Sequence, residues 1–470
     1  MYRVLEEDKK DLENILHQTF LEAIEYLTNL ESGIVAPQNK ALNVESIPEK
    51  GAGASLALEK FLKKYEEYMV KSAGPRYFGF VIGGVTPAAL AGDWLTSVFD
   101  QDAFGIKGNV DEFIEKEAIK LLKQLLGIGG EFQGTFVSGA TMANFVSLAI
   151  ARQWGGKKLG INVALEGINE INKIKIASCS PHSSIYKSLS MLGLGRNSLT
   201  KLECLENREA VNLEALESFL SENKGYPIIY IVNLGTVNTA DFDELEKIVK
   251  LKEKYDFWIH VDAAFAGIAA CSEKYKHLFK GIEEVDSITI DTHKWLNTPY
   301  DGAVQLSKHL GLQNEVFTND ASYLDNSKDE PEIFNLTPEN SRRMRALPVW
   351  FTLMAYGRAG YSEIVERNCY IAEEFGKRIN QSKYFKLLAK VKLNVVCFTL
   401  NTQECELTGE LINNFLKKLR EEGGTFLTST NYKGIPAIRI AVSNWSTTFS
   451  DMEVAFNSLS KVAENFLKTP

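Results

Sequence analysis

Between residues 134 and 308 short apolar runs alternate with amphipathic ones, and this alternation sets the reading of the chain. Residues 134–137, 174–180, 227–234, 257–262, 287–290 and 303–307 are rich in Val, Ile and Phe and are bounded by polar or turn-forming residues, which predicts strands. The stretches 142–152, 183–192 and 243–255 carry apolar residues at helical spacing. Strands and helices in alternation predict an α/β domain whose mostly parallel sheet is buried under helices on both faces.

The two ends read differently. Leu12, Ile15, Leu16, Phe20, Ile24 and Leu27 recur at helical spacing, and residues 55–68 form a second amphipathic stretch. Between them, residues 31–54 are turn-rich, with Pro37, Pro48, Gly51 and Gly53. Helices without a sheet make a poor core of their own, so residues 1–75 are expected to pack on another domain or on a partner subunit. From Gly360 a helix (363–379), strands within 387–400, a helix (407–421), a hairpin at Lys433-Gly434 and a closing helix (450–467) predict a smaller α+β domain with an antiparallel sheet. The expected division is thus 1–75, 76–359 and 360–470.

Composition narrows the function classes. The 470 residues are 45% hydrophobic and 24% charged, as in an ordinary globular protein. A net charge of −9 leaves no basic excess for a nucleic-acid backbone. No apolar run reaches the roughly 18 residues that a membrane span needs, and the charged stretch from Met1 to Leu12 lacks a signal-peptide core. Six cysteines (Cys179, Cys204, Cys271, Cys369, Cys397, Cys405) are scattered without CxxC spacing, which suits reduced thiols and a cytoplasmic location. The six histidines show no HExxH or paired His/Cys spacing, so no metal site is expected and a metal hydrolase is disfavoured.

The chemistry gathers where strands end. The run Ser287-Ile-Thr-Ile-Asp-Thr-His-Lys294 closes an apolar strand with polar residues and a lysine, placed as a Schiff-base former would be. Asp262 ends the preceding strand and is followed by small residues, including Ala264, that let a flat ring lie close. An ionised carboxylate there would keep the pyridine nitrogen of pyridoxal 5′-phosphate (PLP) protonated. Residues 138–144, Ser-Gly-Ala-Thr-Met-Ala-Asn, lead from a strand into a helix and could cradle a phosphate on backbone N–H groups and the Thr141 hydroxyl. His182, in Pro-His-Ser-Ser, could stack on the ring and move a proton, and Thr236 adds a hydroxyl at another strand end. Each feature alone has a plain structural explanation: a solvated lysine, a turn-capping aspartate, an N-cap, a loop histidine. In this order at five strand ends they point to PLP.

These residues resemble the group II PLP-dependent decarboxylases, the family of aromatic-amino-acid, histidine and glutamate decarboxylases. The likeness runs from about Pro75 to Lys461 and is carried by HVDAAFAG (260–267), DTHKWLN (291–297), PHSS (181–184), Ser341-Arg-Arg343, Trp350 and Tyr356-Gly357. It implies a fold type I PLP enzyme, a homodimer with sites at the subunit interface, acting on a small-molecule amino acid. It assigns Lys294 to the Schiff base, Asp262 to the pyridine nitrogen and His182 to ring stacking, these three being the catalytic set. Ala140, Thr141 and His293 take phosphate-contact positions, and Thr236 and Ala264 face the ring. Arg439 resembles the arginine that holds the substrate carboxylate in the glutamate-decarboxylase branch, with a structural cross-domain pair as its alternative. Phe80 and Phe104 fall where the family places pocket walls.

Three positions depart from the pattern. Met142 replaces an acidic residue, and Asp291, counted with the cofactor contacts, stands where many members carry asparagine. The loop at 327–340 has no tyrosine, with Phe334 near the position where decarboxylases keep one. The expected reaction is decarboxylation of an L-amino acid to the amine and CO2 through an external aldimine. Aldehyde synthase, aminotransferase or lyase chemistry at the same site stays open, as does a non-catalytic scaffold.

Overall fold

The computed structural model describes residues 1–38, 43–169, 171–319, 331–402 and 406–467. Eleven strands occur among them. In chain order they are β1 Gln133–Val137, β2 Lys175–Ser178, β3 Leu199–Lys201, β4 Ile228–Asn233, β5 Trp258–Asp262, β6 Ser287–Asp291, β7 Ala303–Ser307, β8 Phe385–Leu387, β9 Val395–Leu400, β10 Thr428–Tyr432 and β11 Ile435–Ala441.

The first seven form one sheet in the order β1-β7-β6-β5-β4-β2-β3. Only β7 runs against the rest, pairing antiparallel with both β1 and β6, while the other neighbours are parallel. The carboxyl ends of β1, β2, β4, β5 and β6 therefore share one edge. Burial on both faces explains the continuous apolar runs. In β4, Ile229 and Ile231 pack with Val146, Ile150 and Ile185, the last on helix Ser183–Met191. Ile228, Tyr230 and Val232 face the opposite side, towards Leu122 and Val349 on helices Val110–Leu126 and Ala346–Gln381. Helix Ala140–Lys158 lies across the first of these faces.

The remaining strands form an antiparallel sheet in the order β10-β11-β9-β8. Lys433 and Gly434 join β10 to β11 with φ of 52° and 85°, the two positive values that a tight two-residue hairpin requires. The core of this unit contains Phe375, Phe398, Phe415, Ile438 and Met452, together with Phe78 from far upstream. The Phe78 N–H donates to the Phe426 carbonyl at 3.0 Å, and its own carbonyl accepts from Ala441 at 3.0 Å. A segment just before the large unit is thus stitched into the small one.

Some elements differ from expectation. The helix expected to start near residue 363 is part of Ala346–Gln381, broken at Gly357, where φ is 57°. The helix expected at 243–255 is confined to Leu245–Lys250 and a following 3-10 turn. Helices Pro87–Phe99, Val110–Leu126 and Leu213–Glu222, and the short edge strand β3, were not anticipated. At the N-terminus, helices Arg3–Lys10, Leu12–Thr28 and Ala54–Tyr65 bury no residue. Leu12, Leu16, Phe20 and Ile24 are left exposed. Cys405 and the 327–330 part of the expected loop lie outside the described residues. No described helix is long and apolar enough to cross a membrane.

Candidate active site

The shared strand edge opens into a cavity of about 500 Å³. Residues 138–142 enter it after β1, Ser180 and His182 after β2, and Gly235, Thr236 and Val237 after β4. Asp262, Ala264 and Phe265 enter at and after β5, and Asp291, His293 and Lys294 at and after β6. Nine of the anticipated cofactor positions are thereby brought together: Ala140, Thr141, His182, Thr236, Asp262, Ala264, Asp291, His293 and Lys294.

At one end lies the N-terminus of helix Ala140–Lys158. The Ala140 N–H donates to Asp291 Oδ1 at 2.5 Å, and Asp291 Oδ2 lies 2.7 Å from Lys294 Nζ. Asp291 is 1% exposed, so its carboxylate is confined between the N-terminus of that helix and the Lys294 amine. His293 Nδ1 accepts the Gly302 N–H at 3.1 Å, its ring stacks on Tyr300 at 4.3 Å, and burial pushes its pKa down. The Lys294 backbone is set by Gly83: a Cβ there would lie 1.7 Å from the Lys294 carbonyl oxygen, so no larger residue fits without moving that turn.

At the other end, Asp262 Oδ1 accepts the Ala264 N–H at 3.2 Å and Oδ2 accepts Asn144 Nδ2–H at 3.1 Å. His182 N-caps helix Ser183–Met191, its Nδ1 accepting the Ser184 N–H at 3.2 Å. Burial depresses its pKa, which keeps the ring neutral and suited to stacking. The Thr236 hydroxyl donates to buried Glu209 at 2.6 Å, which fixes the loop behind the cavity.

The anticipated substrate positions divide. Phe80 lines the cavity and is 59% exposed. Phe104 and Phe334 stack on each other at 4.3 Å, and the structure does not place either in the cavity wall. Phe334 is fully buried in the short turn Ile333–Leu336. Arg439, on β11, is also outside the wall and donates from Nη1 to the Val237 carbonyl at 2.7 Å. Its buried Nε has no partner among the described residues.

Sequence reasoning did not single out Asn144, Ser184, Lys187, Asn233 or Val237 as site residues. Asn144 carried a usable signal, being an amide within a helix stretch whose buried positions include Ala143, Val146, Leu148, Ala149 and Ile150. Among the described residues no cluster of three or more His, Cys, Asp or Glu is arranged to hold a metal. The donor set fits PLP: backbone N–H groups for a phosphate, an amine for its aldehyde, a carboxylate for its ring nitrogen and a neutral imidazole for its face.

Comparison with known proteins gives the same picture. The pyridoxal-dependent decarboxylase conserved domain matches residues 37–401. The aromatic-L-amino-acid decarboxylase of Bacillus atrophaeus is 29% identical over 432 residues, covering 89% of this chain and 88% of that protein. The phenylacetaldehyde synthase of Petunia hybrida is 25% identical, covering 92% and 90%. The structure of Catharanthus roseus tryptophan decarboxylase in complex with L-tryptophan superposes with a TM-score of 0.87 at 21% identity, over 97% of this chain and 99% of that one.

Proposed function

Because the chain belongs to the pyridoxal-dependent decarboxylase family, we propose that its cavity decarboxylates an aromatic L-amino acid to the corresponding amine and CO2. The observation that carries this is the placement of Lys294 and Asp262 in one cavity, at the ends of adjacent parallel strands. PLP bound there supplies an electron sink for the bond to the departing carboxylate. Lys294 Nζ is the group that would hold the cofactor and yield to the substrate amine. Asp262, ionised and held from two sides, would keep a proton on the ring nitrogen. Ala140, Thr141 and His293 would hold the phosphate, with His182 against the ring and Thr236 and Ala264 facing it. Phe80, Phe265 and Met191 supply apolar wall for an aromatic side chain, which accords with the names of the relatives. Arg439, outside the wall and bonded to the Val237 carbonyl, would hold the loop that carries Val237 into the cavity.

A second reading has one observation behind it: the Petunia relative is a phenylacetaldehyde synthase. On the main reading the proton at Cα comes from the neighbourhood of His182. On the second, O2 and water would be consumed, and aldehyde, ammonia and peroxide would accompany the CO2. Screening amino acids with the PLP-loaded protein, measuring CO2, amine, peroxide and O2 uptake together, separates them. Amine with little peroxide supports the first; stoichiometric peroxide supports the second; no CO2 from any amino acid removes both.

The exposed apolar faces of helices Leu12–Thr28 and Ala54–Tyr65 suit a homodimer in which they cover the partner subunit. The scattered cysteines, of which the five described are free thiols, suit the cytoplasm.

A further inference from the structure

Behind the cavity runs a chain of buried hydrogen bonds that none of these roles uses. Asn144, fully buried on helix Ala140–Lys158, stands at its centre. Its Nδ2 lies 3.1 Å from Asp262 Oδ2 and 3.2 Å from Ser184 Oγ, and its Oδ1 lies 3.0 Å from His260 Nε2. His260 Nδ1 lies 2.9 Å from Ser287 Oγ, which also accepts Trp258 Nε1–H at 3.2 Å. At the other end Ser184 Oγ lies 2.8 Å from His182 Nδ1.

Donors and acceptors along this chain assign themselves. An ionised carboxylate only accepts, so the Asn144 atom facing Asp262 is the amide nitrogen. Its two hydrogens go to Asp262 and Ser184, which leaves Oδ1 to accept from His260 and puts the His260 proton on Nε2. Burial lowers the His260 pKa to about 4, so the ring is neutral and its bare Nδ1 takes the Ser287 hydroxyl hydrogen. In the other direction, Ser184 Oγ accepts from Asn144, and its own hydrogen is left for His182 Nδ1. That nitrogen also accepts the Ser184 N–H, so in the neutral ring it carries no proton.

We propose that Asn144 is a positioning residue that, through the Ser184 hydroxyl and together with the Ser184 backbone N–H, fixes the proton of neutral His182 on Nε2 while donating to Asp262 Oδ2. The inference rests on the roles given above to Asp262 and His182, yet it concerns a property that the protein has before cofactor or substrate arrives. A ring in this tautomer offers the cavity an N–H donor and no lone pair. It can hydrogen-bond an anionic oxygen and cannot act there as a base.

Nitrogen-15 spectra of the full chain labelled at histidine test this, since bare and protonated ring nitrogens have well-separated shifts and only six histidines contribute. His182→Gln identifies the resonances. The expected result is Nε2–H for His182 at neutral pH, shifting towards a mixture of tautomers in Asn144→Leu. The same variant should bind PLP several-fold more weakly, because Asp262 loses a donor. Ser184→Ala should disturb the His182 tautomer, and it serves if Asn144→Leu does not fold. An Nδ1-protonated His182 in the parent protein, or a His182 tautomer untouched by the variants that fold, overturns the proposal. Failure of the parent protein to take up PLP would instead defeat the functional reading, and the tautomer measurement would still decide this one.

Discussion

Lys294 Nζ and Asp291 Oδ2 lie 2.7 Å apart. The structure places that carboxylate against the Ala140 N–H and the Lys294 ammonium at once, where a phosphate dianion would meet it as a like charge. Asp291→Asn keeps the shape and removes the charge. It should tighten PLP by about tenfold, some 1.4 kcal/mol, and leave pyridoxal, which lacks the phosphate, unchanged. Fluorescence titration with both ligands measures this, and an equal gain for both would show that repulsion of phosphate is not the cause. Lys294→Ala should abolish turnover and the visible absorption of the PLP-loaded protein; a variant that kept both would remove the central assignment.

Among elements, the strands of the large sheet other than edge strand β3 were the most legible, since burial on both faces makes them short runs rich in Val and Ile. The segment around Gly83 was not, because nothing local marks a stretch whose only role is close approach to a distant turn. Its importance is steric. With the Lys294 carbonyl in the space that a Cβ would fill, Gly83→Ala must displace the lysine turn. The expected outcome is a folded protein with PLP affinity down at least tenfold; native affinity in that variant would mean that the turn has slack. Phe334 teaches the converse. Read as a loop side chain, it lies fully buried against Phe104, because an aromatic residue in a polar loop is as often an anchor as a tool. The motif Ser341-Arg-Arg343 is likewise structural at Arg342, which pairs with buried Glu115 at 2.7 Å and holds the Phe136 carbonyl at the end of β1.

For the molecule as a whole, two buried groups make stability depend on pH with opposite signs. His260 has a folded pKa of about 4 against an ordinary 6.5. From pH 6.5 downwards the unfolded chain therefore takes a proton that the folded chain refuses, and stability falls by roughly 3 kcal/mol by pH 4. Asp243, pushed up by burial to about 6, holds a proton that the unfolded chain has lost above about 3.8. Its contribution is present at low pH and fades as pH rises to 6. The parent protein should thus show a shallow slope between pH 4 and 6 in denaturant titrations, and His260→Asn should show stability declining as pH rises. Identical slopes would mean that His260 is not held neutral. Association is the other property at this scale. Light scattering at micromolar concentration should give twice the 52.5 kDa chain mass, and an active monomer would leave the apolar faces of the N-terminal helices without an explanation.

The stitching of Phe78 into the small unit also fixes an order of events in the cell. Residue 78 leaves the ribosome long before residues 426 and 441, to which its backbone is bonded. Until nearly the whole chain has been synthesised, Phe78 has no partners in that core, and Gly83, five residues further on, is held against Lys294 from one side alone, where the Thr86 N–H donates to the Asn297 carbonyl at 2.9 Å. The sheet that carries the lysine can form earlier, from residues already translated. Phe80 and Val81, the cavity-lining residues nearest that stitch, are therefore held on both sides only once the C-terminal part of the chain has emerged.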